Sequence, residues 1–402
     1  MIENSIVYRK IGVKYEYLAL SKAEGSFVWD KSGKRYIDFT SVWNVTNLGW
    51  NNPEVTEALV EQTKKNTQGL LWGSDPIQEE YARALTDTLP KELDACIKET
   101  GGTESVEVSI KVARAYTGRK KIIGFRNSYH GQLFASLALG NPAGSLKKIE
   151  PLVPEIISLE FPHESVGKDG FEQFVNDFET VLSRRDVAAV VTEPGIITGW
   201  GSTLVAFPEF LSEVRRLTEK YGTLLIVDEV GTGFSRTGKL FGVEHEKVVP
   251  DMIVLAKAIS NGAAAIGTVV GKSALFEQAL NDAVLVSTFG WTPLACAAAL
   301  KTLQIHKRDK VWEMAKVKGN YIMEVLKKNI GGKVIAVRGK GMEIGLEFTD
   351  AKTCEEVRRK AFANGLHIVT GSQNNMQLMP PLTIPQETLE QGLDILVRGI
   401  QE

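Results

Sequence analysis

Five short aliphatic runs constrain this chain more than any other feature. They are KIIGF (121–125), VAAVVTEP (187–194), TLLIVDEV (223–230), MIVLA (252–256) and AIGTVVG (265–271). Each has the length of a strand and is apolar without alternation, so both of its faces need cover. Helical stretches separate the runs. The clearest is FPEFLSEVRRLTEKYG, an amphipathic segment with Gly222 at its end. Such an alternation predicts an α/β fold, a mostly parallel sheet flanked by helices.

The ends of the chain read differently. SFVWDKSGKRYIDF alternates about a turn at Asp30–Gly33, a hairpin pattern. From residue 53 helical periodicity takes over in PEVTEALVEQTKKN and PIQEEYARALTDTL. After the helix-like PLACAAALKTLQIHK, VIAVRGKGMEIGLEF reads as a second hairpin, CEEVRRKAFANG as a helix and LEQGLDILVRGI as a closing helix. The expected organisation is a large domain over residues 53–305 and a smaller α+β domain built from both ends, residues 1–52 and 306–402.

Composition narrows the function classes. With 402 residues, 43% of them hydrophobic, the chain can fill a large core. A net charge of −2 with interspersed signs offers no basic stripe for nucleic acid. Cys96, Cys296 and Cys354 lie far apart, as reduced thiols of a cytoplasmic protein do. No run approaches membrane-spanning length, MIENSIVYRKIGVKYEYL lacks the apolar core of a secretion signal, and the five histidines are too scattered to hold a metal.

Chemistry concentrates in three places. TLLIVDEV is a buried-strand pattern ending in two carboxylates, Asp228 and Glu229, and burying one costs several kcal/mol unless a cation meets it. In TGGTESVEVSIKVARAYTGR, Gly101, Gly102 and Thr103 precede a long helix whose free N–H groups would converge on an anion. In MIVLAKAISNG, Lys257 ends an apolar strand, where desolvation favours the neutral, nucleophilic amine. Taken singly, each has an ordinary reading: a surfacing strand, a helix start with Thr103 as cap, a lysine reaching water. Two phosphate-loop lookalikes fail, because GFSRTGKL has Leu240 where Ser or Thr is needed and GTVVGKS is one residue short. Together, an anion cradle, a strand-end aspartate and a strand-end lysine 29 residues later are what pyridoxal phosphate requires. Asp228 would pair with the ring nitrogen, supplying the cation that the carboxylate needs.

Here the chain resembles the class III aminotransferases of fold-type I pyridoxal-phosphate enzymes over essentially its whole length. The carrying segments are LLIVDEVGTGFSRTGKLFGVEHEKVVPDMIVLAKAISNG, GGTESVEVSIKVARAYTGR, NSYHG (127–131) and STFGWTPLACAAAL (287–300). The resemblance implies that Lys257 is the Schiff-base lysine and proton shuttle, and that Asp228 faces the pyridine nitrogen. It implies further that Val230 packs beneath the ring, Tyr129 stacks on its other face, and Gly102 and Thr103 hold the phosphate. Glu193 would lie near the cofactor. Thr288 would reach the phosphate of a neighbouring subunit, making a homodimer with sites at the interface.

Departures from the family pattern bear on substrate. EPGIITGW replaces the usual E-P-I-Q-G-E-G-G, so Thr198 stands where relatives carry a gating glutamate. Gln132 and Gln377 replace arginines that clamp substrate carboxylates, and Gly231 ends a Asp-Glu-Val-Gly in place of Asp-Glu-Val-Gln. Trp43 and Trp72, with Trp200 and Trp291 as further candidates, would suit an apolar or aromatic amine if they line the pocket; the alternative is core or interface packing. The expected function is transfer of an amino group from an amine or amino acid to a keto acid. The alternatives are an amino-acid racemase or epimerase on the same scaffold, a catalytically silent cofactor-binding regulator, and a nucleotide-binding protein using GFSRTGKL.

Overall fold

The structure is a computed structural model that describes residues 18–70, 73–140, 149–199, 203–329, 331–371 and 374–402. The aliphatic runs lie at its centre. Seven strands form one sheet: β1 (Ala95–Glu99), β2 (Lys121–Phe125), β3 (Ile156–Leu159), β4 (Val187–Thr192), β5 (Leu224–Asp228), β6 (Met252–Leu255) and β7 (Gly267–Gly271). Their order is β1-β7-β6-β5-β4-β2-β3. β6, β5, β4, β2 and β3 pair in parallel, whereas β7 runs antiparallel to both β6 and β1.

The lack of alternation in the runs has a direct cause. Leu225 and Val227 of β5 enter one core with Phe178, Phe210 and Leu217, while Leu224 and Ile226 enter a second with Val106, Ile110 and Val112. Both faces are thus apolar. Helix α1 (Gly102–Thr117) covers the second face and stops at Gly118, which adopts the left-handed conformation at φ 66°. Helix α2 (Phe210–Tyr221) covers the first and ends, as its sequence predicts, at left-handed Gly222.

Both expected hairpins are present, at Phe27–Asp30 with Arg35–Asp38 and at Val334–Lys340 with Glu343–Phe348. A separate core joins the two ends of the chain: Ile37, Phe39 and Leu48 pack with Ile344, Leu346, Met376, Leu378 and Leu393. Ala298 and Ile305, from the helix Pro293–Arg308, also enter it. Arg236 in GFSRTG is fully buried and ties these parts together, donating to the carbonyls of Met342 (3.1 Å) and Pro380 (2.8 Å) and to Asn47 Oδ1 (2.6 Å). The other lookalike, GTVVG, is the buried strand β7. Neither forms a phosphate loop.

One local feature is not written in any periodicity. Ser41, Val42, Trp43 and Asn44 have φ of 41°, 53°, 63° and 67°, a left-handed turn of four non-glycine residues. Each L-residue there costs about 1–2 kcal/mol, so the surrounding structure must hold the turn in place. No helix among the described residues is long and apolar enough to cross a membrane.

Candidate active site

The carboxyl ends of β5 and β6 and the amino end of α1 converge on a cavity of about 410 Å³, within the range of small-ligand sites. Gly102, Thr103, Tyr129, Asp228, Val230 and Lys257 all line it. Around the start of α1 the backbone is kept bare. A Cβ on Gly102 would come within 3.0 Å of Val230, and one on Gly131, held at φ 142°, within 2.6 Å of Thr103 Oγ1. Gly101 is the N-cap and no side chain caps the helix, so Thr103 lies inside α1 and is not its cap. An uncapped helix start opening on a cavity is an anion cradle.

The adjacent carboxylates of TLLIVDEV have separate fates. Asp228 is buried, with Oδ1 accepting from Val230 N at 2.9 Å and Oδ2 lying 2.7 Å from His130 Nδ1. Burial disfavours the His130 imidazolium, but Asp228 and then Glu193 outweigh it and leave the His130 pKa raised. His130 Nε2 has no hydrogen-bond partner among the described residues. Glu229 is satisfied within the protein, accepting from Val243 N at 2.8 Å and Thr232 Oγ1 at 2.5 Å. Burial still pushes its carboxyl up to about 7. His130 is a site residue that the sequence reading passed over, although it sits in NSYHG beside Tyr129.

Lys257 follows β6 in a 3₁₀ turn (Lys257–Ser260) with φ 47°. Its Nζ makes no hydrogen bond and no ion pair among the described residues. Burial lowers its pKa, opposed by the charges of Asp228, Glu193 and Glu343. Glu193 stands behind Tyr129, accepting from Thr198 N (2.8 Å), Thr198 Oγ1 (2.7 Å) and Tyr129 N (3.4 Å). Burial, partly offset by the charge of His130, raises its carboxyl to about 7.

The remaining expected residues are dispersed. Trp43 is half-buried in a polar cluster next to the cavity, its Nε1 donating to Gln377 Oε1 at 3.0 Å. Thr288 is exposed, away from this chain's cavity, and its carbonyl accepts from Gln68 Nε2 at 3.3 Å. Trp72 and Trp200 lie outside the described residues. Trp291 is a core residue: it is 1% exposed, tilts against Tyr81 and donates from Nε1 to the Gly267 carbonyl at 2.9 Å. Of the two roles open to Trp291, core packing is therefore the one it fills. Two departures from the family pattern explain each other, since a Cβ on Gly231 would lie 2.4 Å from Thr198 Oγ1. Gln132 is exposed, whereas Gln377 is fully buried.

Residues 9–400 match the family described as Aminotransferase class-III. The chain belongs to the class-III aminotransferases. Similar proteins include acetylornithine aminotransferase of Methanopyrus kandleri, 35% identical over 96% of this chain and 94% of that one. Another is the LysW-aminoadipate semialdehyde/glutamate semialdehyde transaminase of Sulfolobus acidocaldarius, 33% identical over 95% of each chain. The crystal structure of an (S)-enantioselective omega-transaminase from Thermomicrobium roseum is 30% identical, covers 96% of this chain and 92% of that one, and gives a TM-score of 0.87. This class-III aminotransferase has the fold-type I architecture and is a transaminase that uses pyridoxal 5′-phosphate. The naming of its relatives as transaminases disfavours the racemase alternative. The cavity suits that cofactor: an uncapped helix start for a phosphate, a buried carboxylate for a ring cation, and an unpartnered amine.

Proposed function

We propose that this class-III aminotransferase takes its amino group from a primary amine or ω-amino compound without a carboxylate beside the reacting carbon, and passes it to a keto acid. The observation that carries this reading is Gln377. Its amide is fully buried and fully engaged, Oε1 accepting from Trp43 Nε1 and Nε2 sharing its two hydrogens among the Thr198 carbonyl (3.2 Å), Thr203 Oγ1 (3.3 Å) and Glu343 Oε1 (3.2 Å). No arginine lines the cavity among the described residues. A guanidinium clamps a substrate carboxylate bidentately and an amide does not, so neither Gln377 behind the cavity nor the cavity lining itself supplies such a clamp.

When bound, the cofactor supplies a carbonyl carbon for the amine and a cationic ring that accepts electrons. The protein's part is assigned as follows. Gly102 and Thr103, at the start of α1, hold the phosphate. Asp228, steadied by His130, keeps the ring nitrogen protonated, while Val230 and Tyr129 confine the ring and Glu193 supports Tyr129 from behind. Lys257 Nζ is the covalent anchor and, once displaced, the base that moves the proton off the substrate carbon. Its lowered pKa suits that task. Thr288 reaches the phosphate of a second copy. Exposed Leu70 (76%), Val284 (75%) and Phe289 (64%), close in sequence to Gln68 and Thr288, support a covered face there.

The test is a visible spectrum of the loaded protein before and after single amines and amino acids, without a keto acid. Conversion of the bound cofactor to its amine form, with one equivalent of ketone or aldehyde per site, identifies the donors. A preference for glutamate over all simple amines would overturn the donor assignment.

A further inference from the structure

Glu343 is the unusual charge near this cavity. It lies on the second strand of the C-terminal hairpin (Glu343–Phe348) and is 0% exposed. Among the described residues it has no ion-pair partner. Neutral groups hold it: Asn44 Nδ2 donates to Oε2 at 2.7 Å, Gln377 Nε2 to Oε1 at 3.2 Å, and Thr203 Oγ1 lies 3.5 Å from Oε1. Asn44 belongs to the strained left-handed turn, whose next residue, Val45, lines the cavity. Strain retained at such a place points to a functional constraint. Burial raises the carboxyl to about 7, against Arg236, Asn44 and Lys257, with Glu193 adding to the rise. The charge is felt at Lys257.

A buried carboxylate with no cation in direct contact acts on anything charged that enters the low-dielectric space nearby. We propose that Glu343 determines donor specificity: fixed by Asn44 and Gln377, its negative charge rejects donors that bring a carboxylate to this side of Lys257 and leaves carboxylate-free amines unaffected. The inference rests on the amine-donor reading and adds the residue that enforces it. The same charge weakens keto acids, so the enzyme works with a high KM for the acceptor. Glu343 need not touch substrate. It acts through its field and through the amides it orients.

L-alanine and 1-phenylethylamine test this directly, because they differ only in carrying a carboxylate or a phenyl group on the reacting carbon. For the loaded wild type, Glu343→Gln and Glu343→Met, kcat/KM is measured for both donors at pH 8.5, together with KM for pyruvate. The Kd of the unreactive dicarboxylate glutarate is read from its perturbation of the visible band. Removing the charge is expected to raise the alanine-to-phenylethylamine ratio on the order of 10- to 100-fold and to tighten glutarate and pyruvate similarly, with kcat for the amine little changed. Ratios and glutarate Kd within about 3-fold of wild type in both variants would overturn the proposal. So would failure of both variants to fold, since a charge kept for specificity is dispensable to folding. A wild type that already prefers alanine would instead defeat the amine-donor reading, and the change of ratio in the variants would still decide the role of Glu343.

Discussion

Lys257 Nζ feels the charges of Asp228, Glu193 and Glu343 but has no hydrogen-bond or ion-pair partner among the described residues. Replacing it with alanine should abolish covalent attachment of the cofactor and lower turnover by at least about 10³-fold, while cofactor binding persists through the cradle of α1. Spectra and rates of Lys257→Ala check this; residual turnover within about 10-fold of wild type would remove Lys257 from the chemistry. Glu343 carries a separate consequence for stability. Its carboxyl is raised from an ordinary 4.5 to about 7, so the folded protein binds that proton more tightly than the unfolded chain does. Stability is therefore lost as pH rises from about 4.5 through about 7, by roughly 3 kcal/mol for this group. Glu343→Gln escapes the penalty. It should be more stable than wild type by roughly 2–3 kcal/mol at pH 8, with the gain vanishing near pH 4.5. Urea unfolding of the cofactor-free proteins at the two pH values measures it, and equal stabilities at pH 8 would count against an ionised Glu343.

Among the elements, the start of α1 and the left-handed turn at residues 41–44 matter most to the site. Gly131→Ala places a methyl group 2.6 Å from Thr103 Oγ1 at a φ of 142°, a strain of about 1–3 kcal/mol. Cofactor affinity should fall on the order of 10-fold or more, read by titrating the cofactor-free enzyme. Val42 is half-exposed and β-branched at φ 53°, where only glycine is unstrained. Val42→Gly should therefore stabilise the fold by about 1 kcal/mol, visible as a higher Tm in calorimetry. These elements also mark where sequence reading succeeds and stops. Strands β4 and β5 were legible because both of their faces are buried, which removes polar alternation, and α2 because a left-handed glycine ends it. That Asp228, Lys257, Gly102 and Thr103 come together at one cavity could be anticipated because each terminates an apolar run or opens a helix. Glu343 could not. Its partners Asn44 and Gln377 are separated from it by 299 and 34 residues, and nothing local in GKGMEIG reports a buried charge. The turn at 41–44 was hidden for a related reason, since tertiary contacts and not local propensity impose its backbone. Trp291 shows a third limit: a tryptophan serves a core and a pocket equally well, and only its position decided.

For the whole molecule, the exposed apolar residues around Thr288 predict association. The loaded enzyme should sediment as a dimer, and Phe289→Asp should shift it toward monomer and weaken cofactor retention together, measured by analytical ultracentrifugation and absorbance. A monomeric wild type with full activity would refute the shared site. The core that joins the two ends of the chain sets a schedule during synthesis. Trp43 and Asn44 leave the ribosome early, but the residues that receive them, Gln377 and Glu343, follow 334 and 299 positions later. At roughly 5–20 residues per second, the strained turn waits on the order of 15–60 s before anything can hold it. The large sheet, complete by residue 271, can be made first. A nascent chain therefore makes the residues proposed to cradle the cofactor before those proposed to choose its substrate.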